Sequence, residues 1–343
     1  MTSLTPERGI SVFGASIEHM ARVAKSADAA GFGSVWTSEL YNRSASIALA
    51  AVAMSTETCN VGSGIMYGVG RTPLMLAAEA RDLDELSGGR FLLGLGSGTR
   101  RMISDWHGLD PDAPAVRMEE LVPLIRDLWR LSERPVDHAG RFYRIKIRGL
   151  DELAARVPEI PIYTAGVNPR MIETAGRVAD GLLGHSLFTP RYIADVVRPA
   201  LERGASHRGR DPAEVELATF VLTSVDSDED RARREAAAML AFYGSVKAYA
   251  PLYEICGFGR EAEEIRAAFG RGDIDAMVRA VTDDMVDVLA VSGTAEQVNA
   301  GLRRFDGIVD RLILFPPSFR IAPERWEEIA LALIDHCGPR AVA

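Results

Sequence analysis

The sequence predicts an α/β fold, a (β/α)₈ barrel with insertions, as a single domain over residues 1–343. Three observations lead there. Short apolar runs alternate with segments of helical periodicity about eight times, the count of a closed parallel barrel. The runs are continuously apolar rather than alternating, as strands covered on both faces require. The length of 343 residues suits one such barrel, and no flexible linker interrupts it. A doubly wound open sheet is the competing architecture, but no G-x-G-x-x-G turn follows the first apolar run.

The elements follow in order. Ile10–Phe13 reads as a strand, and Ile17, Met20, Ala21, Ala24 and Ala27 mark a helix that Gly31 ends. Residues 34–37 form a second strand and 44–55 a small-residue helix. Residues 59–62 begin a third strand. Pro73 after Thr72 opens a helix that Gly88 and Gly89 stop. Residues 91–95 are a fourth strand, and 115–132 a helix with Val116, Leu121, Leu124, Ile125 and Leu128 on one face. Strands at 160–164, 181–184, 214–225 and 311–315 alternate with helices at 169–179, 190–206, 228–250 and 321–336. Two stretches break the rhythm: a hairpin-like insertion at 135–150 and extra helices within 251–300.

Hydrophobic residues make up 47% of the chain and charged residues 25%, ordinary for a globular enzyme. A net charge of −9 argues against nucleic acid as partner, since phosphate backbones need a basic face. The three cysteines are far apart and odd in number, so neither a disulfide framework nor a metal site is expected. The N-terminal MTSLTPERGISVFG has no signal-peptide pattern and no stretch reaches the length of a membrane span. The expectation is a cytoplasmic protein acting on a small molecule, without membrane or metal.

Barrel active sites form where the strand C-termini meet. Two glycine clusters, Gly62/Gly64/Gly68 and Gly94/Gly96/Gly98, end the third and fourth strands and should be neighbours there. Glycine lets backbone approach a ligand and adopt positive φ, although tight turns alone also use it. Glu39 ends the second strand, as a site acid or as a cap for the next helix. Of Thr37 and Ser38, alternation sends one to the pocket and one to the helices. Ser97 and Thr99 offer hydroxyls to a ligand or cap the helix that follows. Ala165, Gly166, Val167 and Asn168 open a helix, where backbone N–H groups and the dipole suit a phosphate. His185 and Ser186 follow the next strand, and His185 is either a phosphate donor or a structural histidine. Tyr67, Arg71, Trp106 and His107 line a substrate pocket or simply pack.

The segments DLDELSGGRFLLGLGSG (82–98), GFGSVWTSELYNR (31–43), GSGIMYGVGRTP (62–73), IPIYTAGVNPRMIETAGRVADGLL (160–183) and GRGDIDAMVRAVTDDMVDVLAVSGTAEQV (270–298) resemble the bacterial-luciferase-like oxidoreductases. The similarity is to the F420-dependent methylenetetrahydromethanopterin reductase-like members and spans nearly the whole chain. It implies the luciferase-like barrel, a flavin-like ring at the C-terminal face, and a cis peptide at Gly64–Ile65. It places Glu39 near the ring, Ser97, Gly98 and Thr99 in contact with the coenzyme, and the 164–169 loop on its phosphate tail. It also implies a homodimer or higher homo-oligomer. The chain departs from F420-dependent glucose-6-phosphate dehydrogenases at Leu40, where they have a histidine, and at Thr99, where they have a glutamate. Ser11 stands where methanopterin reductases carry an acid. The cofactor cradle is kept while proton-handling residues change.

The expected activity is therefore an F420-dependent reductase moving a hydride between the deazaflavin C5 and an organic substrate. Glu39, His107, a tyrosine or water would deliver the proton. The alternatives are a luciferase-like monooxygenase using reduced FMN and O₂, and a non-catalytic flavin-binding barrel.

Overall fold

The apolar runs become strands because each can be buried on both sides. A computed structural model describes residues 5–14, 16–149 and 157–339. Its strands are β1 (Glu7–Ser11), β2 (Ser34–Thr37), β3 (Asn60–Ser63), β4 (Met66–Tyr67), β5 (Phe91–Gly96), β6 (Val136–Ala139), β7 (Arg144–Ile147), β8 (Ile162–Ala165), β9 (Gly181–Gly184), β10 (Glu216–Val225), β11 (Val291–Gly293) and β12 (Arg311–Phe315). Hydrogen bonding runs β1-β2-β3-β5-β8-β9-β10-β12 and returns from β12 to β1. This is a closed eight-stranded parallel (β/α)₈ barrel. β4 adds to β5, and β11 adds to β10. No helix of the described residues is long and apolar enough to cross a membrane.

By contacts the chain divides into two compact units. The first takes in the chain up to Trp36, Gly184–Pro199 and the chain from Leu217 onward; the second takes in Thr37–Leu183 and Ala200–Glu216.

In the second unit, Val61 pairs with Phe91, and Leu93 with Ile162. Gly94 is required there. A Cβ at that position would lie 1.9 Å from the Ser63 carbonyl oxygen. The Ser63 hydroxyl instead accepts from the Gly94 amide at 2.8 Å. The helix Pro73–Leu86 starts as its sequence suggests, with the Thr72 hydroxyl accepting from the Met75 amide at 3.2 Å. Gly88 and Gly89 take φ of 67° and 84° beyond its end. The helix Pro114–Trp129 buries Ala115, Met118, Leu121, Val122 and Ile125, and Trp129 donates to the Ala77 carbonyl at 2.9 Å. Val116 is not on that face, contrary to expectation, and is exposed. It lies about 100° round the helix from Ala115, off the stripe continued by Met118 and Val122. β6 and β7 form the expected hairpin, with Val136 opposite Ile147. Leu150, the end of the anticipated insertion, lies outside the described residues.

In the first unit, β1 begins at Glu7 rather than Ile10 and ends at Ser11. Two charged side chains obscured its start. Glu7 pairs with Arg311 of β12, and Arg8 bonds the Cys337 carbonyl. The helix Ile17–Ala29 ends before Gly31, whose φ is 86°. The 251–300 stretch is mostly helical, as anticipated, but also holds β11, with Val291 opposite Thr223. Three residues are too short to show a strand period.

Candidate active site

The ends of β2 and β3 are joined through the chain beyond them. The Thr37 carbonyl accepts from the Gly64 amide at 2.8 Å, and the Glu39 amide donates to the Ile65 carbonyl at 3.0 Å. The Ser38 hydroxyl donates to the Gly64 carbonyl. The Gly64–Ile65 peptide is cis. The two glycine clusters do meet: the Gly68 amide donates to the Gly96 carbonyl at 2.9 Å. A Cβ on Gly96 would lie 2.8 Å from Ile65 Cδ1, so the isoleucine side chain lies directly over the glycine. Trp36 bonds Ser34 across one face of β2, and Ser38 is in phase with that face. Thr37 is in phase with Val35, and its buried hydroxyl has no hydrogen-bond partner among the described residues.

Glu39 is firmly engaged. Its carboxylate accepts from the Tyr67 amide at 2.9 Å and pairs with Arg71. Arg71 also donates to Glu79 at 3.1 Å, and the Ser46 hydroxyl donates to Glu79 at 2.6 Å. Burial works against the charge of Arg71. Its bonds to Glu39 and the charges of Glu39 and Glu79 outweigh that and raise its pKa. Sequence reasoning found Glu39 and Arg71 but missed Glu79 and Ser46, which sit on helices where nothing in the spacing marks them. His107 is exposed, and its ring packs edge-on against Tyr67 with centroids 5.3 Å apart. Gly70 gives it room, since a Cβ there would come within 3.2 Å of the imidazole. Trp106 ends a π-helical turn, Met102–Trp106, and meets Tyr41 edge-on at 5.6 Å.

After β5, Gly98 takes φ of 74°. The Ser97 hydroxyl donates to the Gly98 carbonyl at 3.1 Å. Thr99 acts as a cap, accepting from the Met102 amide at 3.2 Å. After β8, Asn168 caps the helix Pro169–Val178 by accepting from the Met171 amide at 3.0 Å. Gly166 must be glycine, because a Cβ would lie 2.5 Å from Met171 Cβ. The Thr164 hydroxyl beside this loop is buried and has no partner among the described residues.

In the first unit, His185 Nδ1 accepts from the Leu187 amide at 3.2 Å. In the neutral ring the proton therefore sits on Nε2. Tyr243 and Tyr249 enclose the ring at 4.6 and 4.3 Å between centroids. Burial lowers its pKa to about 3. Any phosphate contact from His185 is thus that of a neutral N–H donor. Ser186 beside it is buried. The two tyrosines were not anticipated; they are hidden in a helix and the turn after it. Among the described residues no three His, Cys, Asp or Glu side chains gather as a metal site would require.

Comparison with known proteins identifies the chain as a barrel oxidoreductase. Residues 2–311 match the luciferase-like monooxygenase family, and the chain belongs to that family. It is 30% identical to the 5,10-methylenetetrahydromethanopterin reductase of Methanolobus tindarius, over 91% of this chain and 93% of that one. The coenzyme F420-dependent tetrahydromethanopterin reductase of Methanopyrus kandleri superposes with a TM-score of 0.82 at 24% identity, covering 97% and 98% of the two chains. An FMN complex of the oxygenating constituent of 3,6-diketocamphane monooxygenase from Pseudomonas putida superposes with a TM-score of 0.67 at 16% identity, covering 98% of each chain.

Proposed function

We propose that the protein is an F420-dependent reductase acting on a small organic substrate. The observation that carries this is the pair of glycine segments in the second unit, held against each other by the Gly68–Gly96 bond with Ile65 lying over Gly96. Such a surface combines close-set glycine backbone with the Ile65 side chain, a combination that suits the face of a planar ring. The residues fit the group: Gly64, Ile65, Gly96, Ser97 and Gly98 would hold the ring. The Ala165–Asn168 segment, at a helix start beside the unpartnered Thr164 hydroxyl, would hold phosphate. When bound, F420 supplies hydride at C5 of its deazaflavin. The chain's own part is to fix ring and substrate in register, which in well-oriented reactions is worth about 7–11 kcal/mol of barrier.

Glu39 serves mainly to hold the β4 segment, since Tyr67 and Arg71 occupy its carboxylate. That leaves His107, exposed and resting on Tyr67, as the side chain available for proton delivery. The F420 reading draws support from the reductase relative and from the higher TM-score of the F420-dependent neighbour. The second reading, an FMN-dependent monooxygenase, draws support from the FMN-bound neighbour. A homodimer completes the proposal: Ile47, Met54, Leu74 and Met75 leave apolar side chains exposed on two adjacent helices of the second unit.

Spectroscopic titration with F420 and with FMN tests the reading. F420 is expected to bind at least tenfold more tightly. The variant Asn168→Asp keeps the helix cap while adding a negative charge, and is expected to weaken binding about tenfold without loss of folding. Preferential FMN binding would select the monooxygenase, and binding of neither would leave a non-catalytic barrel. Unchanged affinity in Asn168→Asp would remove the phosphate assignment.

A further inference from the structure

We propose that the first unit holds a recess for an uncharged, apolar ring, built on Phe220 and Phe315 and backed by the buried Trp36. That its natural occupant is the substrate rests on the oxidoreductase reading; the recess itself does not.

Trp36 is wholly buried, and its indole N–H donates to the Ser34 hydroxyl at 2.9 Å. Gly9 on β1 makes this possible, because a Cβ there would come within 2.5 Å of Ser34 Oγ and 3.3 Å of the indole nitrogen. Phe220 meets Trp36 edge-on, with centroids 6.4 Å apart and planes at 79°. Phe315 meets Phe220 in the same way, at 6.0 Å and 75°.

The burial pattern leaves Phe220 and Phe315 partly open. Every residue of β10 after Glu216 is buried except Phe220, and every residue of β12 except Phe315. The flanking Thr219, Val221 and Leu314 are at most 1% exposed. Large aromatic side chains on otherwise sealed strands are left partly open only where no neighbour fills the volume beside them. Rings already set edge-to-face leave a face and an edge for one more ring.

Ser34, Trp36, Phe220 and Phe315 are uncharged. Ser11, opposite Trp36 in the β1–β2 register, is uncharged. The Glu7–Arg311 ion pair is satisfied internally and lies four residues back along β1, on the order of 13 Å away. A charged ligand would find no counter-ion among Ser11, Ser34, Trp36, Phe220 and Phe315, whereas an uncharged ring suits the two open phenyl rings.

The test uses 2-acetylnaphthalene and 2-naphthoate, similar in size but neutral and anionic, titrated against the protein with and without its cofactor. The ketone is expected to bind at least tenfold more tightly. Phe315→Ser is expected to weaken ketone binding at least fivefold while F420 or FMN affinity is unchanged, and Phe315→Leu to retain most of it. Equal affinity for the two probes would overturn the proposal. So would a folded Phe315→Ser variant that binds the ketone as the parent does, with Phe220→Ser as a second variant should the first not fold. Because ketone binding is also read without cofactor, its failure is distinguishable from failure of the F420 titration.

Discussion

His185 shows how one enclosed side chain makes stability depend on pH. Its folded pKa, about 3, lies below the ordinary 6.5, and the Tyr243 and Tyr249 rings and the Ser186 hydroxyl around it carry no charge to offset protonation. The unfolded chain takes up a proton as pH falls through 6.5, and the folded chain does not. The stability it contributes is therefore full above that value and is lost between 6.5 and 3. Between pH 7 and 5.5 the parent is expected to lose about 1 kcal/mol more than His185→Gln in urea denaturation. An equal loss in both would show the ring to be solvated. At this scale the sequence was partly legible. Glu39 stood out because it follows closely on a strand, and Gly94 and Gly96 because apolar runs stop on them. Of the network that fixes Glu39, Arg71 was legible but Glu79 and Ser46 were not, since these two reach it only through packing of the helices that carry them.

The hairpin β6–β7 depends on one carboxylate. Glu120 accepts from the Phe142 amide at 3.0 Å and the Tyr143 amide at 2.9 Å, and bonds His138 Nε2 at 3.0 Å. Burial raises the Glu120 pKa, but these bonds outweigh it and hold the pKa below the ordinary carboxylate range. Glu120→Ala is expected to cost about 2 kcal/mol, with loss of amide-exchange protection confined first to residues 136–147. Uniform loss across the chain would show that the hairpin unfolds only with the rest. Among elements, the long ones were the most legible: the helices at 17–29 and 73–86 declare themselves by period and by their ends. β4 and β11 were invisible because two or three residues carry no period, and each exists only because a longer strand offers it hydrogen bonds. Val116 was misplaced because a valine in a first helical turn reads as core wherever the stripe begins.

For the molecule as a whole, the exposed apolar side chains of the second unit bear on assembly. Ile47 and Met54 are 63% and 76% exposed on the helix Ala45–Ser55, and Met75 is 52% exposed on the helix Pro73–Leu86. A homodimer through this face should sediment at twice 37.2 kDa, and the double variant Ile47→Asp/Met75→Asp at 37.2 kDa with its far-UV spectrum unchanged. A parent protein that sediments at 37.2 kDa at micromolar concentration would refute the dimer. The barrel itself was legible because eight repeats of one pattern add up, and an error in one strand boundary does not change the count.

The π-helical turn at Met102–Trp106 gives the region an unusual evolutionary handle. Such a turn holds one residue more than an α-helical turn would. Deleting a single codon there would restore the regular helix and swing every later side chain by about 100° round the axis. Trp106 would leave Tyr41, and His107 would leave Tyr67, with the strands beneath untouched. One residue gained or lost at this turn would thus exchange the side chains set against Tyr41 and Tyr67 in a single step, a shorter path than replacing them one at a time.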